Sequence, residues 1–335
     1  LHGGALLATY EGGLPHELDP ETLETRGLHT LGGAVRKGAP VIGAGHAVCA
    51  HTRAAGGGAL AFLAAQFSPA GTQLRFMELA DDWGVRAEQK TSLPYFSLVH
   101  DFGVSENFFV ALAARLSFSP ASFLIGTRTA AESVSHQNEH SELLIIPRRG
   151  GPEIRVPTPR CMSTHVANCW EDGEKLVADI VVATPTASLV GGEPPPCTLC
   201  RFVISLPERA SLARVQLFSE IADFPRVDPR LEGKKASRFT YLVTKDRTEG
   251  TCWVKLDSFT GRARAAQPLP GGLHGDACFV PYGEREDAGW LVGLVAFRGK
   301  AAVAVVDART MTPVCALEAP KCNTLGLHCI WSERG

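Results

Sequence analysis

The chain has 335 residues, 45% of them hydrophobic, enough to bury a large core as one big domain or two ordinary ones. A formal net charge of −2 offers no electrostatic attraction for nucleic acid, and no apolar run reaches the roughly 18 residues a spanning helix needs. Ten cysteines are too few for a disulfide scaffold at this length and do not pair into a zinc pattern, so a reducing compartment, cytosolic or plastid-like, is expected.

Apolar runs of strand length follow one another along the chain. They are ALLATY, ALAFLAAQF and TQLRFMEL, then YFSLVHDFGVS, FFVALAARL and ELLIIPR, then KLVADIVVA, FVISL and RVQLFSEI, and last FTYLVTK, CWVKLDSF, WLVGLVAF and AAVAVVDA. Turns drawn from 34 glycines, 22 prolines and many aspartates separate them, which reads as an all-β chain of many short strands. Three turns share a hydrophobic-Asp-x-x-Thr word: LDPET from Leu18, LDSFT from Leu256 and VDART from Val306. Each closes a hairpin if the Asp side chain accepts local backbone N–H groups. The recurrence agrees with a propeller, although such turns are common in any all-β protein.

The stretch from Ser117 to Ser141 departs from strand spacing, with SFSPASFLIG followed by the helix-compatible TAAESVSHQNEHSE. His136 and His140 have the i, i+4 spacing of a helical zinc pair, but Glu139 does not follow the first histidine, and a solvated helix face is the simpler reading. Cys197 and Cys200 form a CxxC in EPPPCTLC without a second pair to complete a zinc ribbon, so chance spacing accounts for them.

Four histidines, His51, His100, His165 and His328, stand in apolar, strand-like stretches where a lone imidazole is a poor core residue. Intervals of 49, 65 and 163 residues separate them, so they cannot be ligands on one helix or loop. Ligands so far apart converge only if strands from different parts of the chain point at one axis, as the inner strands of a propeller do. Taken singly, each is better read as a core histidine bonded to a carbonyl. Imidazole suits iron, zinc and copper alike, so the residue type names no metal.

The words around these histidines are AHTRAAGGGALAF at His51, VHDFGVSENFFV at His100, THVANCWEDGEKLVADIV at His165 and LGLHCIW at His328. Together with LLATYEGGLPHELDPETLET and DFPRVDPRLEGKKASRFTYL, they resemble the carotenoid cleavage oxygenase family in the same order over essentially the whole chain. The resemblance implies a single domain over residues 1–335, a seven-bladed β-propeller with a metal on its axis. It also implies that an N-terminal part, with any targeting segment, precedes Leu1. Residues 117–141 would belong to a helical and loop dome over the metal, with Phe118, Phe123, Leu124 and Ile125 lining a lipophilic entrance; an ordinary helix at the propeller edge is the alternative.

Carried over by position, the resemblance makes His51, His100, His165 and His328 the ligands of one Fe(2+), with Cys329 in place of the family's usual glycine. Glu11, Asp223 and Asp276 fall where the family places acids that hold the imidazoles. The two aspartates are one methylene shorter than the usual glutamates, so direct contact needs a backbone about 1 Å closer. Glu106 and Asn107 read as turn residues, while Phe102, Phe108, Phe109 and Trp170 fit a tunnel wall and core packing equally well. The implied activity is a non-haem iron dioxygenase that uses O2 to split a conjugated C=C bond of a carotenoid or apocarotenoid into two carbonyl products. A non-catalytic pigment-binding propeller, a retinoid isomerase-hydrolase and a stilbene-cleaving dioxygenase remain alternatives, and peripheral membrane contact is expected from the SFSPASFLIG patch. A plastid is expected if the source is a plant or alga, and otherwise a cytoplasmic or membrane-peripheral place.

Overall fold

The computed structural model describes all residues except 41–42, 120, 123–124, 130–131, 138–139, 184–195, 207–211, 247–248, 320–327 and 333–335. The chain divides into two compact units. The first holds Leu1–Thr164 with Ala183–Pro195 and Pro207–Leu212; the second holds His165–Val182, Pro196–Leu206 and Ala213–Gly335.

Among the described residues, three sheets of three or more strands build the first unit. Leu6–Ala8, His16–Leu18 and Thr25–Leu28 form a meander. Ala47–Val48, Arg53–Gly56, Ala59–Ser68, Gly71–Leu79 and Val85–Leu93 form a five-stranded sheet, in which both short strands pair with Ala59–Ser68. Gly103–Val104, Phe108–Ala113, Ser141–Pro147 and Ile154–Thr158 make the third. The sheets stack face on face. Leu14, Leu31 and Val35 pack on Val48, Phe62, Met77 and Leu79, and Leu63, Leu74 and Phe76 of the five-stranded sheet pack on Phe102, Phe109 and Leu144 of the next.

The second unit repeats one pattern three times, with four strands in sequential order in each sheet. The strands are Met162–Asp172, Lys175–Ala183, Cys197–Ser205 and Leu212–Gln216; then Ala222–Arg226, Phe239–Lys245, Thr251–Asp257 and Ala263–Ala266; then Leu273–Pro281, Gly289–Phe297, Lys300–Asp307 and Thr312–Glu318. The fourth strand of each sheet is the most exposed. Lys175–Ala183 and Leu273–Pro281 are buried on both faces, their acids Asp179 and Asp276 included, whereas every residue of Thr312–Glu318 is exposed. Val181 and Leu199 pack on Leu242 and Val254, and Tyr241 and Trp253 pack on Phe279 and Leu291, so adjacent sheets in the unit share cores.

Six sheets of three or more strands lie among the described residues, not the seven that the resemblance implied. The thirteen apolar runs account for strands of these six and leave none for a seventh. The segment 117–141 also differs from expectation. Leu116–Phe118 pairs with Val134–His136 as a two-stranded ribbon, so His136 is on a strand and cannot share a helix face with His140. Phe118 stacks on Phe96 at 5.3 Å, Ile125 is exposed, and Phe123, Leu124 and Glu139 lie outside the described residues. No helix among the described residues is long and apolar enough to cross a membrane.

The Asp-x-x-Thr turns share one geometry. Oδ1 accepts from Glu21 and Thr22 N–H at Asp19 (2.9 and 2.8 Å), from Phe259 and Thr260 N–H at Asp257 (3.1 and 3.2 Å) and from Thr310 N–H at Asp307 (2.7 Å). The residue after each threonine is left-handed, Leu23 at φ 62°, Gly261 at 69° and Met311 at 55°, and its N–H donates back to the Asp carbonyl at 2.8–2.9 Å. An L side chain in that region costs about 1–2 kcal/mol. Leu23 is exposed and has little packing to lose. Leu23→Gly is therefore expected to stabilise the chain by about 1 kcal/mol, read as a higher denaturant midpoint.

Candidate metal centre

In the first unit, His51 and His100 come together. Their Nε2 atoms lie 3.3 Å apart and the rings cross at 76°. His51 precedes the strand Arg53–Gly56, and His100 lies in the irregular segment before Gly103–Val104, so neither is on a strand. What holds them is local chemistry. The Cys49 thiol donates to the His100 carbonyl at 2.8 Å and accepts from His51 N–H at 3.4 Å. Glu11 Oε1 lies 2.6 Å from His100 Nδ1 and accepts from Ala50 N–H at 3.3 Å. Burial of Glu11 favours the neutral acid, but His100 and the backbone N–H groups outweigh it and hold the carboxyl below its ordinary range.

The second unit carries a matching pair. His165, on the strand Met162–Asp172, and His328, which lies off any strand, place their Nε2 atoms 3.3 Å apart with rings crossing at 76°. His165 Nδ1 is 2.6 Å from Asp223 Oδ1, and His328 Nδ1 is 3.2 Å from Asp276 Oδ2. Both aspartates thus touch their imidazoles directly despite the shorter side chain. For Asp223 a strand irregularity supplies the reach, since the register shifts between Asp223 and Arg226. Phe224, between them, takes φ 55° and packs its ring 5.2 Å from His165 and 5.5 Å from His328.

Arg226 binds both oxygens of Asp276 through Nε, at 3.0 and 2.9 Å, adds Nη2 to Oδ2, and reaches the Cys329 carbonyl at 3.2 Å. Burial opposes the Asp276 charge, but His328 and this guanidinium hold the carboxyl below its ordinary range. Sequence reasoning missed Arg226, Phe224 and Cys49. Arg226 stands three residues from Asp223 in DFPR, but nothing in the sequence marks its partner fifty residues on. The signal for Cys49 was its position two residues before a candidate ligand.

The tautomers follow from these partners. A carboxylate accepts, so His165 and His328 each carry their proton on Nδ1, and each Nε2 of a neutral ring is a lone pair. Two lone pairs facing at 3.3 Å repel unless a cation, proton or metal ion, lies between them. The donor set therefore fits a metal held by neutral imidazoles, each oriented through its far nitrogen.

Other candidates do different work. Phe102 and Phe109 are fully buried around Phe76, and Trp170 is buried beneath the Arg201 guanidinium, so all three are core residues. The Glu106 and Asn107 carbonyls accept from Arg148 at the turn before Phe108. Cys197 and Cys200 stand three apart on one strand and point to opposite faces, which removes the CxxC as a site.

Stacked antiparallel meanders with paired histidines available to a cation define an all-β protein of the β-propeller class. The profile described as "Retinal pigment epithelial membrane protein" matches residues 1–333, and the chain belongs to that family, the carotenoid cleavage oxygenases. It is 29% identical to apocarotenoid-15,15'-oxygenase of Synechocystis over 97% of this chain and 68% of that protein. Against isoeugenol monooxygenase of Pseudomonas putida the identity is 25% over 99% and 74%. Against a carotenoid 9,10(9',10')-cleavage dioxygenase of Phaseolus vulgaris it is 27% over 69% and 48%. Among solved structures, cobalt-substituted Synechocystis ACO superposes with a TM-score of 0.89 at 25% identity, covering 100% of this chain and 73% of that one, and the fold is a β-propeller.

Proposed function

We propose that this chain is a dioxygenase that cleaves a conjugated C=C bond of a carotenoid or apocarotenoid with O2, giving two carbonyl products, and that His51, His100, His165 and His328 together hold one ferrous ion for it. The observation that carries the metal reading is the facing Nε2 pair of His165 and His328, each with a carboxylate behind it. Family membership and the names of the relatives support the reaction and the choice of iron. When bound, ferrous iron supplies a centre at which O2 becomes reactive toward an electron-rich double bond.

The chain's own residues orient three of the four donors through their far ring nitrogens. Glu11 fixes the Nδ1 proton of His100, and Asp223 does the same for His165. Asp276, itself held by Arg226, accepts from His328 Nδ1–H, so no carboxylate need enter the ligand set. Phe224 packs beside both imidazoles, tilted at 38° to His165 and edge-on at 68° to His328, and limits their rotation. Around residues 117–141 the dome reading places a lipophilic entrance and a peripheral membrane contact, supported by the exposed Ile125.

Incubating the iron-loaded chain with an apocarotenal under O2 is expected to give one pair of carbonyl products per O2 consumed. Consumption of neither substrate across a carotenoid panel would reject the assignment. The likeness to isoeugenol monooxygenase favours an aryl alkene as the second substrate class to try.

A further inference from the structure

The second unit holds two cysteines that the proposed chemistry does not use. Cys278 lies on the strand Leu273–Pro281, two residues beyond Asp276, and Cys329 follows His328. Both are thiols. They are 51 residues apart in sequence, yet the Cys278 N–H donates to the Cys329 sulfur at 3.1 Å. Both thiols lie against one acceptor, the Val292 carbonyl, at 3.2 Å from Cys278 and 3.5 Å from Cys329. The pair is also reachable. Cys329 is half-buried, and a pocket of about 350 Å³ lined by Arg226, Cys278, Phe279, Cys329, Ile330 and Trp331 opens beside it.

We propose that Cys278 and Cys329 form a reversible disulfide in response to a peroxide, pinning the segment that carries His328 to the strand that carries Asp276. In the first step one thiol sulfur attacks the peroxide; an S–O bond forms, the O–O bond breaks and water leaves. The second sulfur then attacks that sulfenic acid; the S–S bond forms, the S–O bond breaks and a second water leaves. Two thiols are oxidised by two electrons in all, one hydrogen peroxide is reduced to two waters, and both thiol protons end in water. A dithiol reverses the reaction by exchange.

The place gives the link a consequence. Of the three contacts between a candidate ligand imidazole and its carboxylate, that of His328 is the longest, 3.2 Å against 2.6 Å for His100 and His165. A covalent tie one residue from His328 removes freedom from the segment whose carboxylate contact is the longest of the three. The disulfide itself does not depend on what the histidines bind, so its failure would leave the proposed function standing.

The test is treatment of the full chain with hydrogen peroxide, then alkylation and peptide mapping without reductant. The expected result is a Cys278–Cys329 linked peptide, at least about a tenfold loss of alkylation at both positions, and recovery with dithiothreitol. Cys278→Ser and Cys329→Ser should each abolish the linked peptide; if one fails to fold, the other decides. Cys315→Ser, which alters an exposed cysteine, should leave it unchanged. Undiminished alkylation of both cysteines, a sulfinic acid at Cys329 without a link, or a link through Cys315 to a second copy would each overturn the proposal.

Discussion

Arg148→Ala is expected to cost roughly 3–5 kcal/mol of stability, the range for removing one partner of a buried ion pair. Arg148 and Glu78 are 5% and 2% exposed, so neither charge has water to fall back on. The guanidinium donates to Glu78 Oε1 at 2.6 Å, to the Ser105 and Glu106 carbonyls at 2.6 and 2.9 Å, and to the Ala55 carbonyl at 2.6 Å. It thereby ties two strands of the five-stranded sheet to the turn ahead of Phe108. Truncation would leave a buried carboxylate facing carbonyl oxygens, an arrangement far worse than a simple cavity. Arg149 is the internal comparison. Its side chain is 69% exposed and reaches Glu78 only at 3.8 Å, so Arg149→Ala should change the denaturant midpoint by no more than about 1 kcal/mol. Equal effects at the two arginines would refute this account of the first unit.

His165→Ala is expected to lower iron affinity by more than about 100-fold and to bring cleavage to background, because even outer partners of a ligand typically contribute 10–100-fold. The substitution removes the imidazole that Asp223 orients and one of the two facing Nε2 atoms of the second unit. A loss of stability alone does not mimic this. His46 is also buried, but its ring nitrogens lie 2.9 Å from the Arg36 backbone nitrogen and 3.1 Å from the Arg75 guanidinium, which is a structural role. His46→Ala should therefore destabilise the chain while keeping its iron. Retention of iron by His165→Ala, measured by elemental analysis after dialysis, would remove His165 from the ligand set.

Much of the architecture was legible because it is written in local chemistry. An Asp three residues before a Thr closes the same turn at Asp19, Asp257 and Asp307, and a largely apolar run marks Lys175–Ala183 as buried on both faces, with its one acid, Asp179, paired to Arg201. The histidines were legible as members of ordered words rather than by periodicity. Only His165 is on a strand, and the strand-like look of YFSLVHDFGVS reflects buried irregular chain around Val99 and Phe102. The supporting residues were not legible, for a physical reason. Arg226 finds Asp276 fifty residues away, and the left-handed turn at Phe224 is a backbone state that a phenylalanine does not announce. The same limit applies to 117–141, where helix-compatible composition lost to cross-strand pairing of Leu116 with His136.

Whether four imidazoles make one iron site is decided by the metal content of the purified, unmodified chain after anaerobic loading with Fe(II). About one iron per chain, retained through dialysis, is expected. No retained iron, or retention unchanged when His51, His100, His165 and His328 are all replaced, would contradict the four-imidazole site.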